Sequence, residues 1–267
     1  SGAVELELLN LAGISHAEDA ARLLRQRAET DSDAKVLLAV GAEYGLLGGA
    51  PITRQALDAI LPDRPMAVMA ALAARTHRVK IGTAVMLNAL RHPVHLAHSI
   101  ATIDNISGGR IVLGLGAGRS NNQMFVDEHA IVGVPITERA DRMEESIDVL
   151  RMLWSQDNVF HPEGYYPLNG VTLEPRPVQE QVPIWLSSNW VQRGLKRVAA
   201  QGDGWITNVP STEMFTKCLD KIEEKGAELG KDVSGIKRAL YISVNLNDED
   251  EALSEGDGFM RAYYGIP

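Results

Sequence analysis

Three short stretches of the chain hold residue types whose spacing could do chemistry. Ser187, Ser188 and Asn189 end an apolar run and stand before a helical pattern. Two hydroxyls and a carboxamide beside the N–H groups of a starting helix make an anion or phosphate site, because the positive helix end adds to the donors. The same residue types also make an ordinary N-cap, and the residues alone weigh the two readings equally. The second stretch is Gly114, Leu115, Gly116, Ala117 and Gly118. A dinucleotide site needs G-x-G-x-x-G and an acidic residue ending the following strand, and neither is present. The third is Gly82, Thr83, Ala84 and Val85, whose small side chains allow backbone to approach a ligand closely or, more simply, allow tight strand–helix packing. His92 precedes Pro93 and reads as a helix cap. His129 and His161 are candidate acid–base groups in loops, with nothing to fix them near a site, so solvated histidines are expected. Arg119, Ser120 and Asn121 follow the glycines; Arg119 is a candidate partner for phosphate or substrate, although a solvated loop arginine is the commoner outcome. Cys218 lies in the helical pattern MFTKCLDKI and reads as a buried thiol. Tyr165, Tyr166 and Trp185 read as packing residues. There is no metal-ligand spacing and no mutually supporting Ser/His/Asp set.

These stretches sit on a regular alternation of strands and helices. Apolar runs near residues 4–9, 35–41, 79–85, 111–116, 182–188, 204–208 and 238–246 predict seven strands. Helical patterns separate most of them. One opens at Ser15 with Glu18 as a capping-box partner, a short one begins at Thr53, and residues 66–75 are alanine-rich. Pro93 opens another, with apolar residues at Val94, Leu96, Ala97, Ile100, Ala101 and Ile103, and Ser107, Gly108 and Gly109 close it. Residues 138–155 carry a stripe of Met143, Ile147, Leu150, Met152 and Leu153. Further helices are predicted from residue 189 to 200, from 212 to 229 and within 248–262. Residues 119–137 read as a polar loop and 160–179 as an inserted hairpin. Alternating β and α elements imply a parallel sheet, either doubly wound or closed as an eight-stranded barrel.

The chain has 267 residues, a length that a single α/β barrel commonly reaches. It carries 35 acidic residues against 26 Lys and Arg, a net charge of −9, which gives no support to nucleic-acid binding. One cysteine excludes an internal disulfide and fits a reducing compartment. No run is long and apolar enough to span a membrane, and the N-terminus lacks a signal-peptide layout, so a cytoplasmic location is expected.

Several blocks, in order and at natural spacing, resemble the luciferase-like flavin-dependent oxidoreductases, a family that includes the bacterial luciferase α chain and the coenzyme F420-dependent reductases. They are ALAARTHRVKIGTAV, RHPVHLAHSIATIDNISGGRIVLGLGAG, ERADRMEESIDVLRMLW, GYYPLNGVTLEPRPVQEQVPIWLSS and AAQGDGWI, covering about residues 69–267. The resemblance implies a (β/α)8 TIM-barrel fold, incomplete at its C-terminal end, because family barrels continue through an eighth strand and helix. Residues 1–68 instead resemble an internal segment of metal-dependent amidohydrolases, without that family's His-x-His ligand pair: His16 stands alone and the next histidine is His77. A natural or engineered chimera, or the product of a misjoined gene, folded as one barrel domain is the expectation.

By the flavin-type resemblance the cofactor is FMN or coenzyme F420, and the reaction is FMN-linked monooxygenation or F420-dependent hydride transfer on a small organic substrate. The resemblance places Thr83, Ala84 and Val85 under the cofactor ring, with a cis peptide bond between Ala84 and Val85, Gly116 and Gly118 along an adjoining wall, and Ser187, Ser188 and Asn189 at the phosphate. Trp190 stands where many relatives carry small residues. No catalytic residue and no metal ligand is assigned. Two other readings are a barrel that no longer catalyses and a residual amidohydrolase. Exposed strand edges and apolar faces in an incomplete barrel imply a homodimer or larger assembly, or aggregation.

Overall fold

The structure is a computed structural model that describes residues 7–10, 37–40, 64–121, 123–242 and 249–264. In chain order its elements begin β1 (Glu7–Asn10), β2 (Leu37–Val40), α1 (Arg64–Arg75), β3 (Ile81–Gly82), α2 (Pro93–Ser107), β4 (Ile111–Leu115), α3 (Gln123–Ile131) and α4 (Arg139–Ser155). They continue with β5 (Val159–His161), β6 (Leu168–Val171), β7 (Ile184–Ser187), α5 (Gln192–Gln201), β8 (Gly204–Thr207), α6 (Thr212–Glu228), β9 (Lys237–Leu240) and α7 (Glu249–Tyr264). Each of the seven predicted parallel strands is present. The helices expected from Ser15 and Thr53, and the end of the last strand beyond residue 242, lie outside the described residues. Residue 68, where the resemblance changes, falls within α1.

β1 pairs with β2, and β3, β4, β7, β8 and β9 form a second sheet in that order, all parallel. β2 lies beside β3. Strands therefore follow one another round the sheet in chain order, without the reversal that a doubly wound sheet needs. The result is a curled parallel sheet, half of a (β/α)8 barrel. β5 and β6 form the expected antiparallel hairpin.

Period-2 alternation divides the strands between two apolar layers. Ile111, Leu113, Leu115, Ile184, Leu186 and Trp205 face outward and are buried under the helices. The helices answer with their own stripes, Leu96, Ala97, Ile100 and Ile103 from α2, and Met143, Ile147, Leu150 and Leu153 from α4. Burying a side chain of this size contributes roughly 1.5–3 kcal/mol, so this layer dominates the stability. Val112, Trp185, Ile206 and Ala239 form a smaller inner layer, against which Val85 packs.

Polar contacts fix the helix ends. Val94 N–H donates to the His92 ring (3.3 Å), Pro93 takes the first turn, and Gly108 closes α2 at φ 67°. Arg110 donates to the carbonyls of Ala73, Thr76, Val79 and Ser107 and to the Thr76 hydroxyl, at 2.7–2.9 Å. It thereby places a cation at the carbonyl end of α1. Buried Asp104 accepts from Gln179 N and Nε2, tying the end of the hairpin excursion to α2. Two expectations are corrected. Residues 119–137 contain α3, whose sequence QMFVDEHAI carries no clean apolar stripe to announce it. α5 starts at Gln192 rather than 189, because Ser188 and Asn189 are committed to the strand end.

Candidate active site

β3 pairs regularly with β4 at Ile81–Ile111 and Gly82–Val112, and pairing resumes at Met86–Leu115. Three residues lie between Gly82 and Met86, but only two between Val112 and Leu115. The extra residue makes Thr83, Ala84 and Val85 a bulge at the strand end. The Ala84–Val85 peptide bond is cis, at the bond to which the resemblance points.

The glycine stretch of β4 is shaped to this bulge. The Thr83 hydroxyl donates to Gly114 O (2.6 Å), and a Cβ on Gly114 would stand 1.8 Å from Thr83 O. Only glycine lets the two backbones pass so closely. Met86 N–H also donates to Gly114 O, and Gly116 N–H returns a bond to Met86 O, both at 2.9 Å. A Cβ on Gly116 would meet Val85 Cγ2 at 2.7 Å and Ser187 Cβ at 3.7 Å. The C-terminal ends of β3, β4 and β7 thus bring Val85, Gly116 and Ser187 together, above the inner apolar layer. Gly118 (φ 73°) is exposed and packs on the Leu87 side chain, outside that group.

The turn from β7 into α5 sorts its three polar residues differently. Adjacent strand residues point to opposite faces, so Ser187 faces the inside and Ser188 the helices. Among the described residues the Ser187 hydroxyl has no hydrogen-bond partner. The Ser188 hydroxyl is buried, donates to Asn189 O (3.0 Å) and lies where a Cβ on Gly194 would sit 2.2 Å away. Ser188 O accepts from Trp205 Nε1 (2.7 Å). Asn189 Oδ1 accepts from the Thr207 hydroxyl (2.9 Å) and Asn208 N (3.3 Å), and its Nδ2 donates to Asn208 Oδ1 (2.7 Å). Neither Ser188 nor Asn189 caps α5. The N-cap is Val191, with no side-chain acceptor, which leaves the first-turn N–H groups to another partner. Trp190 is 46% exposed beside this turn. Gly194, Thr207 and Asn208 belong to the site and went unread in the sequence. The signal for Gly194 was a poor helix former three residues into a helix.

The histidines do not join this group. His92 is a cap, and its pKa is lowered by burial and then by neighbouring His95. His129 is buried in α3, against the expectation of an exposed loop residue, with Nδ1 2.8 Å from Phe125 O. His161 lies on the hairpin, 3.2 Å from Glu145. Cys218 is fully buried in the apolar core and is a packing residue, and burial raises the pKa of its thiol. Arg119 and Ser120 are exposed in the loop after Gly118. Among the described residues no cluster of His, Cys, Asp and Glu could hold a metal ion, and no helix is long and apolar enough to cross a membrane.

Together these groups place an apolar surface beside donors suited to an anion. Val85 offers an apolar surface, and its side chain packs over Gly116, where a Cβ would meet it at 2.7 Å. Ser187 offers a hydroxyl, and α5 an uncapped positive end. Comparison with known proteins bears on the family and the fold. The family model described as luciferase-like monooxygenase matches residues 14–265 and so reaches into the segment 1–68. An uncharacterized protein of Mycobacterium tuberculosis is 28% identical over 229 residues, 81% of this chain and 78% of that protein. The F420-dependent glucose-6-phosphate dehydrogenase of Amycolatopsis mediterranei is 32% identical over 197 residues, 73% of this chain, and the match spans 58% of that protein. Among solved structures, an F420-dependent secondary alcohol dehydrogenase in complex with an F420–acetone adduct shares the fold, with a TM-score of 0.72 at 24% identity over 97% of this chain and 73% of that one.

Proposed function

This chain belongs to the luciferase-like monooxygenase family, and we propose that it is an oxidoreductase that binds coenzyme F420 or FMN at the C-terminal ends of β3, β4 and β7. The observation that carries this reading is the meeting of Val85, Gly116 and Ser187 from three separate strand ends. When bound, the cofactor supplies the hydride chemistry, and the protein supplies orientation and exclusion of water. In this reading the Thr83–Val85 bulge forms the floor under the ring, held rigid by the Thr83–Gly114 hydrogen bond. Gly116 leaves room for the Val85 side chain to lie in that floor, and Gly118 lets the chain turn away over Leu87. Ser187 and the first-turn N–H groups of α5 take the phosphate. Ser188 and Asn189 act by shaping the turn, since their own side-chain groups are bonded within it. Trp190 flanks the phosphate and narrows its approach.

F420-dependent hydride transfer on a small organic substrate is the first reading, because the Amycolatopsis relative carries that cofactor in its name. FMN-linked monooxygenation is the second, favoured by the family's own description. The reading takes residues 1–267 as one barrel domain with an atypical N-terminal segment. Titration of the purified protein with F420 and with FMN, followed by absorbance and fluorescence, tests it. Saturable binding of one of them at micromolar concentration is expected, with loss of affinity in Ser187→Val. Binding of neither would overturn the reading.

A further inference from the structure

α5 meets α4 along a polar seam. Arg193 donates through Nε and Nη2 to the two carboxylate oxygens of Glu144, both at 3.1 Å, and through Nη2 to Asp141. One turn on, Arg197 donates through Nε (3.0 Å) and Nη2 (2.7 Å) to Glu144 Oε1. A further turn on, Gln201 Nε2 donates to Glu144 O (3.1 Å) and Asp148 Oδ1 (2.8 Å). The residues recur at i, i+4 and i+8 on α5, so one stripe of that helix is clamped along its length. Arg197 is only 6% exposed, while Arg193 is 51% exposed, at the second position of α5.

The placement has an electrostatic consequence. Asp141 and Glu144 are acidic groups beside the positive end of α5, and alone they would oppose any anion there. Two guanidinium groups balance these two carboxylates. Glu144 takes both arginines, so Arg193 is the cation that compensates Asp141.

We propose that Arg193 and Arg197 are positioning residues for the anion anchor at the β7–α5 turn, and that Arg193 also cancels the repulsion of Asp141 and Glu144 toward a bound phosphate. The inference rests on the cofactor reading above, which supplies the phosphate. It differs from a merely structural clamp in one respect: its effect falls on the phosphate and not on the ring.

The test compares ligands that differ only in that group, FMN against riboflavin, or F420 against its phosphate-free deazaflavin, whichever pair the wild type binds. Arg193→Met is expected to weaken the phosphorylated ligand about five- to tenfold and the phosphate-free one by less than about twofold, as suits one unbalanced charge near the surface. Salt at about 0.5 M should remove most of the difference. Adding Asp141→Asn to Arg193→Met should restore affinity to within about threefold of wild type, because it removes the charge that Arg193 had balanced. Asp141→Asn alone alters an exposed group and is expected to fold normally, with unchanged or tighter binding of the phosphorylated ligand. Equal losses for both ligands, or no rescue by Asp141→Asn, would overturn the proposal while leaving the cofactor reading intact. Equal wild-type affinity for the two ligands would instead remove the anchor itself, and the proposal with it.

Discussion

A Cβ on Gly114 would stand 1.8 Å from a backbone oxygen, Thr83 O, whereas one on Gly116 would meet the tip of a side chain, Val85 Cγ2, at 2.7 Å. The first neighbour cannot rotate away and the second can. Gly114→Ala is therefore expected to cost about 3 kcal/mol of stability, while Gly116→Ala costs less than about 1 kcal/mol. Their effects on binding should run the other way for the folded protein. Alanine at 116 pushes the Val85 side chain out of its place and is expected to weaken F420 or FMN about tenfold without unfolding anything. Urea denaturation beside cofactor titration checks both, and equal destabilisation by the two alanines would contradict the geometry. The two glycines were visible in the sequence as a glycine-rich stretch. Which of them seats the Thr83 carbonyl and which the Val85 side chain depends on the register between β3 and β4, which composition does not carry.

At the level of elements, the β5–β6 hairpin is held to α4 by one carboxylate. Glu145 accepts from Tyr165 N and Tyr166 N, both at 2.8 Å, and from the His161 ring at 3.2 Å. Arg142 lies over the Tyr165 ring, 4.5 Å from its centre. Burial alone would raise the Glu145 pKa, but the two backbone N–H groups and His161 outweigh it and hold the carboxyl below its ordinary 4.5. A carboxyl with a depressed folded-state pKa adds stability that is fully present above the unfolded value and is lost as pH falls through the folded one. Glu145→Gln should therefore lower stability by roughly 1 kcal/mol at neutral pH, and the gap to wild type should close below pH 4.5. Thermal melts between pH 7 and pH 3.5 measure this, and a gap that widens on acidification would refute it. The hairpin itself was legible from its turn residues. Its clamp was not, because Glu145 reads as an ordinary solvated position on an amphipathic helix until the insertion folds over it.

At the level of the molecule, the parallel strands wind in chain order as a half-barrel, and among the described residues β9 is paired on one side only. Leu240 and Ile242, at and just beyond its end, are both exposed. Edges and apolar groups of this kind favour association. Light scattering is expected to give at least twice the monomer mass, and a monodisperse monomer would sink that expectation. The same architecture explains why the site gathers where it does: parallel strands bring their C-terminal ends, and the loops leaving them, to one rim.

Hydrophobic periodicity in the sequence determined the seven strands, the apolar stripes of α2 and α4 and the order of β and α elements, because those signals are local and repeat with each element's own period. Its motif blocks determined the family. Only the tertiary structure decided which polar groups face the inside of the curled sheet and which are bonded within the turn. Ser187 and Ser188 are neighbours of the same type, yet one points inside the curled sheet and the other lies under α5 against Gly194. Asn189 is drawn off to Thr207 and Asn208, and the cation beside the turn belongs to a seam with α4. The contacts of Asn189 and of Arg193 join residues about 20 and about 50 positions apart, and such contacts exist only once strand register and helix packing are fixed.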